Sequence, residues 1–385
     1  MKRIRRTSSG LFIAICLLLL LPLNSKSQNL SFSGQLSAFH LSKIEKPWQS
    51  VSGIRYIPEL KWNTPINKTW KFDLEASANL YGHADIQKDS FTGAATLKPY
   101  RIWGRLATER FELRLGLQKI SFGSATMLRP LMWFDHLDPC DPLQLTDGVY
   151  AALGRYFFQN NANIWIWGIV PAKTVKGWEV LTSDQHRPEF GGRFQTPAGR
   201  GELAVSGHFR YIGTDQSDGY FPVTINSPVP EYRIALDGKW DVGPGIWFEG
   251  TYNYHQLPEP AINHTRMLTL GADYTFGMGN GLTAMAEQFF YQTGPELLKN
   301  SSDLTFTAAS VTYPLSITHS LSGMVFYNWT THDWYRFVNW RISLNKISLH
   351  LIAFCNPVSF DLYRNTGNAN LMGGRGIQIM FVWNH

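Results

Sequence analysis

Three things are scarce in this chain of 385 residues, and each scarcity excludes something. Beyond residue 27 there is no long apolar run, which excludes a helical membrane protein, because a helix needs about 20 such residues to cross. Cysteine occurs 3 times, and only Cys140 and Cys355 lie beyond residue 27, so no disulfide framework holds the fold. Charged residues make up 17 %, below the roughly 25 % of ordinary soluble domains. The formal charge of +6 comes mostly from residues 1–27, which hold five basic residues and no acidic one. The rest is close to neutral, so the strongly basic surface that would mark a nucleic-acid partner is absent.

Residues 1–27 have the three parts of a secretory signal. A basic start is followed by the apolar stretch 11–23, and Ser25 and Ser27 put small residues before a cut at Gln28. That stretch is too short to span a bilayer. Ile15 stands before Cys16 where lipid attachment would want a small residue, so the expectation is export and cleavage rather than a lipid anchor. The mature chain is then 28–385.

What the sequence has in abundance is aromatic residues, 14 % of the total. Many sit in segments that alternate with period two. Phe111, Leu113, Leu115 and Leu117 share one face and Glu112, Arg114, Gly116 and Gln118 the other. Leu203, Val205, Phe209 and Tyr211 oppose Glu202, Ser206, His208 and Arg210, and Tyr232, Ile234, Leu236 and Trp240 oppose Arg233, Asp237 and Lys239. Period two marks strands with one apolar face. In lipid, only helices and closed barrels satisfy every backbone group, and a barrel strand needs about 9–11 residues. The pattern predicts an all-β transmembrane antiparallel up-and-down barrel of about eighteen strands. Segments near 304–313 and 336–342 alternate poorly, which leaves sixteen as the alternative count.

Connection lengths point the same way. Connections after even-numbered segments are short (108–110, 159–161, 197–200, 242–245, 277–281). Most of those after odd-numbered segments are long (41–51, 83–96, 123–146, 171–187, 213–229, 356–372). Short periplasmic turns and longer outside loops are the habit of outer-membrane barrels. The last segment, Gly376–His385, would turn Ile377, Ile379, Phe381 and Trp383 to lipid. It resembles the C-terminal signal that barrel-assembly machinery reads, although it ends in His385.

Charges on the lipid face cost about 2–4 kcal/mol for Arg or Lys at mid-membrane, so strand charges should point inward. That places Arg101, Arg105, Arg114, Arg155, Arg193, Arg210 and Arg233 in the lumen, with Glu112, Asp237, Glu249, Asp273 and Glu287. The longest connection, 123–146, carries Leu131, Met132, Trp133, Phe134 and Leu137. These are too apolar for an outside loop and suit one folded into the barrel. Asp135, Asp138, Asp141 and the adjoining Asp147 make it acidic.

Leu115–Gly123 with the Asp-rich loop after it resembles the strand-and-loop of the larger bacterial outer-membrane porins, including the alginate-export and phosphate-selective families. The resemblance implies a third loop that folds inward and narrows a pore. It also implies that Asp135, Asp138 and Asp141 face Arg101, Arg105, Arg114 and Arg155 across the constriction, in a field that sorts ions and orients dipolar solutes. The expected function is passive diffusion of ions or small hydrophilic solutes across a bacterial outer membrane. Lipid and the assembly machinery are the expected partners, and a homotrimer the expected assembly. The alternative is a plugged barrel that serves in surface polysaccharide secretion or as a structural partner.

Other readings fare worse on the residues. Three aspartates at three-residue spacing match no calcium loop, and Pro139 and Pro142 account for the turns, so neither a metal nor a cofactor is expected. Pairing Cys140 with Cys355 would require the third loop to cross the lumen, so both read as free thiols. Ser206 beside His208 is the nearest approach to a catalytic pair and lacks a further partner, so no enzyme is expected. A soluble propeller would need a repeat of about 40–50 residues, and none is found.

Overall fold

A strand with one apolar face must cover the backbone groups along both edges, and closure is the arrangement that leaves no edge open. The computed structural model shows that closure. It describes residues 29–385 apart from 46–47, 88–89, 218, 220–223, 258–261 and 359–368. The expected leader 1–27 and the cut before Gln28 fall outside the described residues.

The first nine strands are β1 (Leu30–Lys43), β2 (Gln49–Pro65), β3 (Lys71–Gln87), β4 (Ser90–Ala107), β5 (Phe111–Gln118), β6 (Val149–Phe157), β7 (Asn163–Ile169), β8 (Glu189–Ala198) and β9 (Gly201–Ile212). The second nine are β10 (Val229–Asp241), β11 (Gly245–His255), β12 (His264–Phe276), β13 (Leu282–Gly294), β14 (Ser302–Pro314), β15 (His319–Asn328), β16 (Asp333–Ser343), β17 (Ile347–Cys355) and β18 (Arg375–Asn384). Each pairs antiparallel with its neighbours in sequence, and β1 pairs with β18 from Gln35↔Asn384 to Lys43↔Gly376. The sheet is therefore an 18-stranded closed barrel.

His385 belongs to the seam. Its backbone exchanges hydrogen bonds with Gly34 (3.2 and 3.0 Å), and its ring stacks on Tyr56 and lies 3.0 Å from that phenol oxygen. The outer face is apolar along alternate positions, as at Ile54, Leu97, Ile102, Ile166, Ile234, Leu236, Ile377 and Ile379, all exposed. At one end the turns are tight and built by local chemistry. Asn67 Oδ1 accepts from the N–H groups of Thr69 and Trp70, and Thr108 Oγ1 from those of Arg110 and Phe111.

Two differences from the sequence reading have physical causes. The segment 83–96, expected as a long loop, is mostly strand: β3 and β4 run on as a hairpin to the pair Gln87↔Ser90. Its small residues Ala84, Gly93, Ala94 and Ala95 carry little hydrophobic pattern, so period two does not register there. Strands β14 and β16 alternate poorly because their lumen faces are apolar as well, carrying the buried Phe306, Ala308, Tyr335 and Phe337.

Candidate channel lining and the inward loops

The connection 119–148 lies inside the barrel. It leaves β5 and crosses to the wall opposite, where the backbone N–H groups of Ala125 and Leu131 meet Glu249 on β11, and those of Thr126, Met127 and Leu128 meet Glu287 on β13. Its apolar residues, which would be costly in water, are buried in two places. Met127, Leu128, Met132 and Cys140 pack against Phe289, Tyr291, Phe306, Phe326, Phe337 and Phe354 of the β13–β17 wall. Ile120, Phe122, Leu131, Trp133 and Phe134 pack against Val149, Leu153 and Trp167 of β6 and β7. The loop thus does cross the lumen, yet Cys140 and Cys355 are both free thiols.

A second connection, 170–188, also turns inward, which the sequence reading did not anticipate. Trp178 stacks on Phe289 with ring centroids 4.8 Å apart, and its indole N–H donates to the Arg129 carbonyl of the third loop at 2.8 Å. Gly177, at φ 48°, lies so close to Met132 that any side chain would run into that residue's backbone. The signal was there: Val175, Trp178, Val180 and Leu181 are as misplaced in an outside loop as the third loop's apolar residues are.

Six of the seven arginines named from sequence pair with carboxylates of the wall and of this fourth loop; among the described residues Arg101 does not. Arg105 reaches Asp73 (2.5 Å) and Glu112 (3.4 Å), and Arg114 and Arg155 reach Glu112 at 3.0 and 3.6 Å. Arg193 grips Asp237 with both terminal nitrogens, at 2.6 and 2.8 Å. Arg210 and Arg233 share Glu179 and Glu231, at 2.5 to 3.1 Å. Arg101 donates to the carbonyl of Thr146 at 2.8 Å, bracing the end of the third loop. Among the described residues none of the seven has a third-loop carboxylate within salt-bridge reach.

The acidic residues have other neighbours. Asp135 is buried against Arg129 of its own loop at 3.1 Å, and Asp147 pairs with Lys98 at 2.7 Å. Asp138 and Asp141 cap local turns, accepting from the N–H groups of Cys140 (2.8 Å) and Leu143 (3.0 Å). Both line a cavity of about 680 Å³ that separates the loop from the wall of β1–β4 and β18. Across it stand Arg55, Asn79, Tyr81, Lys98 and Tyr100. Burial pushes the Asp138 carboxyl up to about 6 and raises Asp141 above the usual carboxylate range; burial likewise lowers His136. Arg55 helps hold Asp141 down, so the two are electrostatic neighbours without a salt bridge.

Arg55 and Lys98 are the site residues that sequence reasoning missed. Arg55 lies over the Tyr81 ring at 4.6 Å, on a strand face shared with the buried Val51 and Ile57, so its inward direction did not stand out. Lys98 lies just past the stretch 83–96 read as loop, at a position whose parity along the strand opposes that of Arg101 and Arg105. A register shift in the β3–β4 pairing, Ser77↔Arg101 then Ala78↔Pro99, leaves Tyr100 as an extra residue. Proline suits that irregularity because it has no N–H for the ladder. The shift brings both Tyr100 and Arg101 to the lumen side, one against the cavity and the other under the loop.

No protein-family profile and no curated relative matches the sequence. Solved structures of bacterial outer-membrane barrels do match in fold. OccK7 (OpdD) of Pseudomonas aeruginosa superposes with a TM-score of 0.56 at 9 % identity, over 93 % of this chain and 99 % of that one. OccK2 (OpdF) of the same organism, solved in complex with glucuronate, gives 0.55 at 9 % identity over 92 % and 96 %. OmpT of Vibrio cholerae, in a trimer form, gives 0.50 at 9 % identity over 92 % and 98 %. At such identities the likeness carries the fold, a porin-type β-barrel.

Proposed function

We propose that the protein is a channel of the bacterial outer membrane through which ions or small hydrophilic solutes diffuse passively. The passage is off-centre, between the third loop and the wall of β1–β4 and β18. The observation that carries this reading is the charge distribution around one cavity: Asp138 and Asp141 on the loop, Arg55 and Lys98 on the wall. Opposed charges across a narrow wet gap make a transverse field that favours ions and dipolar solutes. The seven arginines named from sequence act behind this gap, with Arg101 bracing the loop and the others neutralising buried wall carboxylates. The glucuronate bound by OccK2 supports a small hydrophilic solute, and the trimer form of OmpT supports a homotrimer. Lipid on the apolar outer face and the barrel-assembly machinery complete the proposed partners. Nothing in this reading requires catalysis, a metal or a cofactor.

A second reading has its own observation. The apolar packing of the third loop against β13–β17 occupies that side of the lumen, as a plug would, and suits a scaffold or secretion partner. Planar-bilayer recording separates the two. The purified barrel conducts if the first holds; R55Q/K98Q then moves the reversal potential in a salt gradient toward cation preference, and D138N/D141N moves it toward anions. Absence of conductance favours the plug, and unchanged reversal potentials in both variants remove the proposed gap from the path.

A further inference from the structure

The third loop is held at its far side by two carboxylates. Glu287 accepts from the backbone N–H groups of Thr126 (2.7 Å), Met127 (2.9 Å) and Leu128 (2.6 Å), from the Thr126 hydroxyl (2.9 Å) and from the Trp247 indole (3.0 Å). Glu249 accepts from Ala125 (2.9 Å) and Leu131 (2.5 Å), and the Thr269 hydroxyl donates to the Leu128 carbonyl at 2.5 Å. Both carboxylates are buried, and neither has a Lys, Arg or His within salt-bridge reach among the described residues. Three successive N–H groups converging on one carboxylate form a nest, the concavity that loops usually turn toward a bound anion. Here the anion is the barrel's own side chain. Gly123, at φ 108°, permits the approach, because any side chain there would meet the Glu249 carboxylate.

Hydrogen bonds to a charged acceptor are roughly twice as strong as neutral ones, and removing the acceptor leaves several buried N–H groups unpaired. We propose that Glu249 and Glu287 are positioning residues that latch the third loop to the wall of β11–β13 and thereby set the bore left along β1–β4 and β18. The proposal rests on the channel reading for its effect on current, but the latch itself has an independent reporter. Cys140 is a buried thiol of the same loop, packed with Met127, Leu128 and Met132.

The experiment uses the full-length barrel with Cys355→Ser as parent and compares Glu287→Gln, Glu287→Ala and the double variant E249A/E287A. Each is first checked for the heat-modifiable gel migration of a closed barrel; if the double variant does not fold, the Glu287 single variants decide. Maleimide labelling of Cys140 in the folded protein should accelerate at least about tenfold in E287A, with E287Q intermediate, since an oxygen acceptor remains. Single-channel conductance should rise about twofold as the loop leaves the bore. Folded variants that label and conduct like the parent overturn the latch. A parent that does not conduct overturns the channel reading instead, and the labelling rates alone then judge the latch.

Discussion

Asp138 is the residue whose chemistry reports most directly on the gap. With a pKa pushed up to about 6 by burial, it is charged above that pH and neutral below it. In the proposed channel a negative Asp138 attracts cations to the loop side, so its contribution to cation preference is full well above pH 6 and declines as pH falls through about 6. Reversal potentials measured from pH 7.5 down to 5 should show that step, and D138N should lack it. A step of equal size in D138N would assign the titration elsewhere. Arg193 and Asp237 make a different case. The pair is buried and bidentate, and Ser206 and Ser124 add further hydrogen bonds. Breaking such a pair by removing one partner strands the other charge, at a cost of about 3–5 kcal/mol, whereas an apolar replacement of both can be neutral. Asp237→Asn should therefore lower the urea midpoint of unfolding markedly, and the double replacement R193M/D237L should recover much of it.

At the scale of elements, two loops that sequence habit places in water are the ones that shape the interior. The third was legible because Leu131, Met132, Trp133 and Phe134 have no business in an aqueous loop, and the structure buries all four. The fourth carries the same kind of signal in Val175, Trp178 and Leu181, spread more thinly. The contact between the two is tight at Gly177 and Met132. Gly177→Ala should push the loops apart, and faster proteolytic nicking within 170–188 of the folded barrel would register it; a cleavage rate equal to the parent's would mean that the contact is slack. Strands were readable wherever a polar lumen met an apolar exterior. Where the interior is itself greasy, as along β14 and β16, or where small residues dominate, as in the β3–β4 hairpin, period two loses its contrast. The inward arginines were equally plain from alternation. Their partners were not: hairpin register sets Asp73 opposite Arg105 and Glu231 opposite Arg210, and Glu179 comes from a loop whose inward course alternation does not reveal.

On the scale of the whole molecule, the barrel is lopsided. Two inward loops fill the side bounded by β5–β17, and the cavity opens against β1–β4 and β18. That asymmetry is what a single measurement can test. Cysteines are placed at Arg55, on the open side, and at Phe326, in the packed side, in a chain whose Cys140 and Cys355 are serine. A charged thiol reagent is then added during single-channel recording. R55C should lose current on modification and F326C should be indifferent, since its side chain has no access to water. Block at F326C, or none at R55C, would contradict a passage confined to the β1–β4 side.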